Sequence, residues 1–251
     1  MTHPARILII AGSDSSGGAG IQADIKTVTM LGGYAMTAIT AITAQDTCRV
    51  HAVEVLPATL VGAQIDACLG DIGVDAVKIG MLGSAQIAGI VAGRLQRLSV
   101  PIVFDPVMVA TNGAVLADAD TAAAFEQLMR LAGLTTPNVH ELAALGGQAG
   151  MAQRGIAYLA KGGDAEGDIL EDRLVRPGFP DRVWRDARIA TRHTHGTGCT
   201  LASAIATGLG CGLDMAEAIA RARRFVRAAL LAAPGFGQGH GPLGHAAVRL
   251  D

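Results

Sequence analysis

The chain has 251 residues, 50% of them hydrophobic, 17% charged and 3% aromatic, with a net charge of −2. The apolar fraction excludes a disordered chain, and the near-neutral balance supplies no basic field to recruit nucleic acid or an anionic membrane. No apolar run nears the ~20 residues of a membrane span, and the length suits one large α/β domain, read here as residues 1–251.

The opening MTHPARILIIAGSD reads as a first strand with no signal peptide. Cys48, Cys68, Cys199 and Cys211 show no CxxC spacing, so a reduced, cytoplasmic protein is expected. Arg6–Ala11 is a buried-strand run, and Ile21, Ile25 and Val28 at helical spacing predict a helix over Gly18–Leu31. Tyr34–Ala44 and Val50–Leu56 read as strands. Pro57 then opens a helix to about Leu69, as Pro suits a first helical turn. Asp75–Ile79 predicts a strand, Ser84–Leu98 a helix, Ile102–Phe104 a strand, Thr121–Leu131 a helix and Leu134–Thr135 a short strand. A helix starts over Pro137–Leu145, and strands follow at Ile156–Ala160 and Ile169–Val175. Two long helices, Gly196–Leu209 and Asp214–Leu231, close the pattern. Strands alternating with helices imply a three-layer α/β/α sandwich on a mostly parallel sheet, with ligands beyond the carboxyl ends of the strands.

The polar residues at those strand ends carry the functional reading. Gly12 and Gly17 have the Walker spacing, but Gly18-Ala19 stands where Lys-Ser/Thr is required. Gly18–Ala23 fits a loose GxGxxA, yet it follows its strand at a distance, and Asp14 would repel a pyrophosphate. Asp24, about one turn into the helix, either points into the crevice to accept from a substrate hydroxyl or is an exposed first-turn acid favoured by the helix dipole. Gln45 ends the second strand; it can donate and accept at once, as an aminated heteroaromatic ring requires, or be a plain polar strand end. Met81, after Lys78-Ile-Gly, packs either on a flat ring or into the core. Only three of the 20 basic residues are Lys (Lys26, Lys78 and Lys161), which draws attention to each.

Asp105, followed by Pro106-Val107-Met108 at a strand tip, could orient Mg²⁺ waters, and Glu141, one turn into the helix that Asn138 caps, could share that shell. Lys161-Gly-Gly163 offers a point charge to phosphates over an open backbone. His195-Gly196-Thr197-Gly198-Cys199-Thr200 opens a helix whose first-turn N–H groups form an anion hole suited to a transferring phosphoryl group. Cys199 lies where a helix terminus lowers a thiol pKa, so it is either a proton acceptor or a small buried hydrophobe. The Arg221–Arg227 cluster reads as a solvated face with a possible nucleotide role, and His240 as a loop residue.

Together AGSDSSGGAGIQADIKT, ITAQDT, KIGML, DPVM, TPNVHE, KGG, HGTGCT and GHGPLGH, in that order from about Ile7 to His245, resemble the hydroxymethylpyrimidine/phosphomethylpyrimidine kinases of thiamin biosynthesis, in the ribokinase-like superfamily. The resemblance implies ATP-dependent phosphorylation of 4-amino-5-hydroxymethyl-2-methylpyrimidine and then of its monophosphate. It implies that Asp24 and Gln45 bind the pyrimidine, with Gly12, Met81 and Val107 beside it. Asp105 and Glu141 would lie near Mg²⁺, and Lys161, Asn138 and Thr197 would meet the nucleotide. Gly196, Thr197 and Gly198 would form the anion hole with Cys199 as proton acceptor. Relatives are often dimers, so a homodimer is the expected assembly, with no nucleic-acid or membrane partner.

The chain departs from the family pattern at Thr111, where Lys is usual, at Asp164, where His is usual, and in a shorter stretch between Asn138 and Lys161, which predicts a truncated helix and loosened packing behind Lys161. A pyridoxal kinase and a non-catalytic pyrimidine-binding protein are the rival readings, with a dinucleotide-dependent oxidoreductase third.

Overall fold

A computed structural model describes residues 3–109, 113, 116–163 and 167–249. Its elements in chain order are β1 (Arg6–Asp14), α1 (Gly20–Met30), β2 (Tyr34–Gln45), β3 (Val50–Val55), α2 (Ala58–Asp71), β4 (Ala76–Ile79), α3 (Ala85–Leu95), β5 (Ile102–Phe104), α4 (Ala119–Leu131), β6 (Leu134–Thr135), α5 (Val139–Ala144), α6 (Gly147–Arg154), β7 (Tyr158–Ala160), β8 (Ile169–Val175), β9 (Arg182–Ala187), α7 (Thr197–Gly210) and α8 (Met215–Leu231). The strands form one sheet in the order β3-β2-β1-β4-β5-β6-β7-β8-β9. Pairing is parallel from β2 through β7 and antiparallel at the β2–β3, β7–β8 and β8–β9 contacts.

Strand β1 shows why the sheet is covered on both sides. Its run Ile7–Ile10 is wholly buried, and the pleat sends Ile7, Ile9 and Ala11 to one core and Leu8 and Ile10 to the other. The first core is closed by α1, α7 and α8, the second by α2, α3 and α4. Each fully buried Ile contributes about 2–3 kcal/mol relative to exposure, so a charge placed on either face of β1 would break the fold. Helix α7 is buried from Thr200 to Gly208, because it is sandwiched between the sheet, α1 and α8. Its small residues permit that close approach: a methyl group on Gly208 would lie 3.0 Å from the Ala218 side chain. Side-chain caps set several helix starts, with Ser84 accepting from Ile87 N–H and Asp118 from Thr121 N–H. Among the described residues no helix is long and apolar enough to cross a membrane.

The predicted three-layer α/β/α architecture is the one observed, with local corrections. β1 runs to Asp14 rather than stopping at Ala11, because after a shift in register Ser13 and Asp14 still pair with Ile42 and Thr43. Pro57 is the N-cap residue, with ψ at 131°, and α2 begins one residue later. The shortened stretch before Lys161 contains two helices, α5 and α6, and Lys161 N–H donates to Pro137 O at 2.9 Å, so the backbone there is held. β9 was not expected; half of its run RVWRDA is charged, although Trp184 packs against the first core. Thr111 and Asp164 lie outside the described residues.

The chain goes outward from β1 to β2 and β3, then crosses back to place β4 on the other side of β1. That reversal opens a crevice at the carboxyl ends of β1 and β4.

Candidate active site

A cleft of about 830 Å³ occupies this position, and the starts of α5 and α7 complete its walls. Gly12, Met81 and Val107 line one end, and Asn138, Lys161 and Arg227 lie toward the other. At the first end Gly12 makes room for Met81: a methyl group on it would come within 3.0 Å of the Met81 sulfur.

The opening of α7 is fixed by glycine. Gly196 has φ +86°, a conformation that L side chains rarely adopt, and a side chain there would strike the Gly18 carbonyl. The two glycine-rich segments therefore touch backbone to backbone. Helix geometry leaves the N–H groups of the first turn without intrahelical acceptors; that of Thr197 donates to Thr194 O at 3.2 Å, while Gly198 and Cys199, next in the turn, line the cleft. A methyl group on Gly198 would lie 3.4 Å from Lys161 Nζ and 3.6 Å from Asp105 Oδ2, so these groups converge on that turn.

Asp14 and His195 strap the two segments together. His195 Nε2 lies 2.8 Å from Asp14 Oδ2, and the same carboxylate accepts from the N–H groups of Gly18 and Ala19 and from Ser16. Burial pushes the Asp14 carboxyl upward, but the His195, Ser16 and Ala19 contacts prevail and hold it at about 2. Gln45, expected to meet the ring, is not among the residues that line the cleft: Ser15 Oγ both donates to its carbonyl and accepts from its N–H, and its side-chain nitrogen is 3.4 Å from Nε2 of His195, which does line it.

Two expectations are overturned. Asp24 neither faces the crevice nor lies exposed; it is fully buried beneath α7. Lys78 Nζ donates to its Oδ2 at 2.8 Å and Ser203 Oγ to its Oδ1 at 2.7 Å, so both oxygens are committed. Burial disfavours the Lys78 charge, but Asp24, Cys199 and Asp105 around it raise its pKa. Cys199 does line the cleft, yet its thiol is not acidified. Burial pushes it up to about 11, opposed by Lys78 and the Gly20 N–H and reinforced by Asp24 and Asp105. The helix terminus is present, but desolvation and two carboxylates outweigh it.

Toward the other end of the cleft, Asp105 Oδ1 accepts from Lys161 Nζ at 2.7 Å and from Thr136 Oγ1 at 2.8 Å. Burial works against the Asp105 charge, but Lys161 and Lys78 hold its pKa below the usual carboxylate value. Glu141 Oε2 is 3.7 Å from Lys161 Nζ, and Glu141 and Asn138 form a reciprocal capping box at the start of α5. Thus Lys161 and both acids predicted near a metal meet in one place, while Asn138 and Thr197 line the adjoining wall.

Asp14, Lys78, Thr136, Asp172 and Arg188 also contribute to the site or its frame, though the sequence assigns none of them a role there, and so does Arg223, for whose cluster the sequence allows a nucleotide role. The scarcity of Lys was a signal for Lys78; the others become visible only through partners far away in the chain. Of the basic cluster on α8, Arg224 is exposed, whereas Arg223 is buried, and Arg223 and Arg227 line the cleft. His240 is a loop residue whose N–H donates to Thr47 O.

Residues 14–244 match the family model described as phosphomethylpyrimidine kinase. A hydroxymethylpyrimidine/phosphomethylpyrimidine kinase of Rhizobium meliloti is 44% identical over 255 residues, covering 95% of this chain and 96% of that protein. Among solved structures, an ADP complex of Bacillus subtilis pyridoxal kinase is similar with a TM-score of 0.87 and 33% identity, covering 99% of this chain and 100% of the other. A phosphomethylpyrimidine kinase of Clostridium difficile has a TM-score of 0.75 and 36% identity, covering 89% of this chain and 98% of the other.

Proposed function

This chain belongs to the phosphomethylpyrimidine kinase family, and on that premise we propose that it uses ATP to phosphorylate 4-amino-5-hydroxymethyl-2-methylpyrimidine and then the monophosphate so formed, in thiamin biosynthesis. The observation that carries the reading is the convergence of Lys161, Asp105 and Gly198 at the first turn of α7, with the Gly12–Met81 surface in the same cleft. An alcohol bound against Gly12, Met81 and Val107 would present its oxygen to that turn.

Phosphoryl transfer of this kind needs positioning and charge stabilisation more than covalent chemistry. The N–H groups at the start of α7 receive the equatorial oxygens of the migrating group, and Lys161 supports them with a full charge. Gln45, beside His195, is the group assigned to the amino face of the ring. Asp24 serves from below, by holding Lys78 and α7 in place. Asp105 and Glu141 suit Mg²⁺, since hard cations bound through phosphates use one or two carboxylates, and Asp105 Oδ2 faces the Gly198 turn while Oδ1 is engaged. When bound, the ion supplies charge neutralisation between the phosphates. Cys199 as a neutral thiol orients the acceptor hydroxyl, and only its thiolate, with a pKa of about 11 roughly one molecule in ten thousand at pH 7, can accept the hydroxyl proton as the new O–P bond forms. The reading has the protein work as one domain and as a homodimer, in the cytoplasm, where its free cysteines stay reduced.

The test is the ratio of kcat/KM for the aminopyrimidine alcohol and for pyridoxal, with ATP and Mg²⁺. A preference of at least about tenfold for the aminopyrimidine is expected; a site built for hydrogen bonds can reject a ligand that leaves them unmade by about 10⁴-fold. A preference for pyridoxal would establish the second reading, which the TM-score of 0.87 to a pyridoxal kinase favours. Tight pyrimidine binding with no ADP release would make the protein a binder without catalysis.

A further inference from the structure

We infer that the buried Asp172–Arg223 pair is a positioning device for Lys161, setting nucleotide affinity from outside the phosphate site. The inference rests on the reading that Lys161 meets the nucleotide phosphates. Both partners are almost wholly buried, with 5% of Asp172 and 6% of Arg223 exposed. Asp172, on β8, divides its carboxylate: Oδ1 accepts from the Gly162 N–H at 2.8 Å, and Oδ2 pairs with the Arg223 guanidinium on α8. The other guanidinium nitrogen of Arg223 donates to Asp186 on β9. One planar fork thus ties α8 to two strands, a geometry that Arg provides and Lys does not.

Gly162 directly follows Lys161, and this turn is gripped on every side. The Lys161 N–H donates to Pro137 O, the Gly162 N–H to Asp172, and Gly163 O accepts from Arg188 Nη1 at 2.8 Å. A side chain on Gly162 would collide with the Glu171 carbonyl, so the turn lies flush against β8. Discharging Arg223 leaves Asp172 buried without its counterion, free to turn from Gly162, and Lys161 then loses its fixed approach to the first turn of α7.

The experiment measures the Kd for ADP by calorimetry on the purified full chain in Mg²⁺ buffer, KM for ATP and for the aminopyrimidine alcohol, and amide exchange at Gly162. R223M is expected to weaken ADP binding about tenfold, raise KM for ATP in step, leave KM for the alcohol within twofold, and speed exchange at Gly162. R223K restores the charge without the fork and is expected about threefold from wild type; R224M, at the exposed neighbour, should match wild type. Unchanged ADP affinity in folded R223M overturns the inference, as does an equal rise in both KM values. Weakened ADP binding with Gly162 still protected also overturns it, since Arg223 would then act on the nucleotide directly. If R223M does not fold, R223K decides, and an unchanged Kd there is fatal. A wild-type chain that binds ADP but leaves the aminopyrimidine untouched would instead overturn the substrate reading and leave this inference standing.

Discussion

The two flanks of α7 are built by opposite means. On the acceptor flank, Gly12–Gly20 and Gly196 touch through their backbones, and the charges beneath, Asp24 and Lys78, are fully sealed from water. On the nucleotide flank, Arg223, Arg227 and Arg188 reach across from α8 and the end of β9 to hold carboxylates and carbonyls, several of them half-exposed. Backbone contact leaves no slack, whereas long side chains can shift and re-pair. The acceptor flank should therefore be intolerant of substitution, whereas the nucleotide flank should tolerate changes that keep a long cation, as R223K does, better than changes that remove it.

The strongest way to break this contrast is Asp24→Ala, which strands Lys78 in a dry interior. A loss of about 3–5 kcal/mol in unfolding free energy is expected in urea titration; a loss under about 1 kcal/mol would mean that water reaches the ammonium. Next comes Gly196→Ala, where the left-handed backbone and the contact with Gly18 both forbid a side chain. The anion hole should be misaligned, lowering kcat by roughly a hundred- to a thousandfold, about 3–4 kcal/mol of barrier; turnover within tenfold of wild type would show that the two loops can part at little cost.

The smallest effect sharpens the contrast through pH. His245 packs behind α7 with its Nε2 2.9 Å from Thr200 Oγ1, and burial together with the Lys26 charge lowers its pKa to about 4 from 6.5. Because the folded state resists protonation, the unfolded chain binds more protons between those values. Stability is then complete above about pH 6.5 and declines as pH falls toward 4. Between pH 7 and 5.5 the loss should be about 1 kcal/mol, seen as a drop of a few degrees in Tm that His245→Gln removes. An identical decline in the variant would assign the pH response to other groups.

The same contrast governs what could be read from the sequence. The strand ends and the start of α7 are spelled in glycines and short motifs, so the sequence alone assigns Gly12, Met81, Lys161, Asp105 and the turn after His195 to the carboxyl ends of the strands. β5, β6 and β8 match their predicted limits, β5 and β6 because a short run between turn residues leaves little choice. What escaped prediction depends on partners remote in sequence. Periodicity puts Asp24 one turn into α1, but only the fold brings Lys78 and Ser203 to it from 54 and 179 residues away. Helix position alone suggests an acidic Cys199 thiol; the buried carboxylates that reverse this come from α1 and the end of β5. β9, short and charged, carries no apolar alternation to announce it.

The strap between Asp14 and His195 joins residues 181 positions apart. During synthesis the ribosome would release the first five strands long before the partner histidine exists. A nascent chain could collapse around β1 and still possess no pocket, and the catalytic surface would form in a single late event when α7 slides beneath the waiting loop. Product of a message truncated before residue 195 should therefore be inert toward both ligands, however much of the sheet it retains.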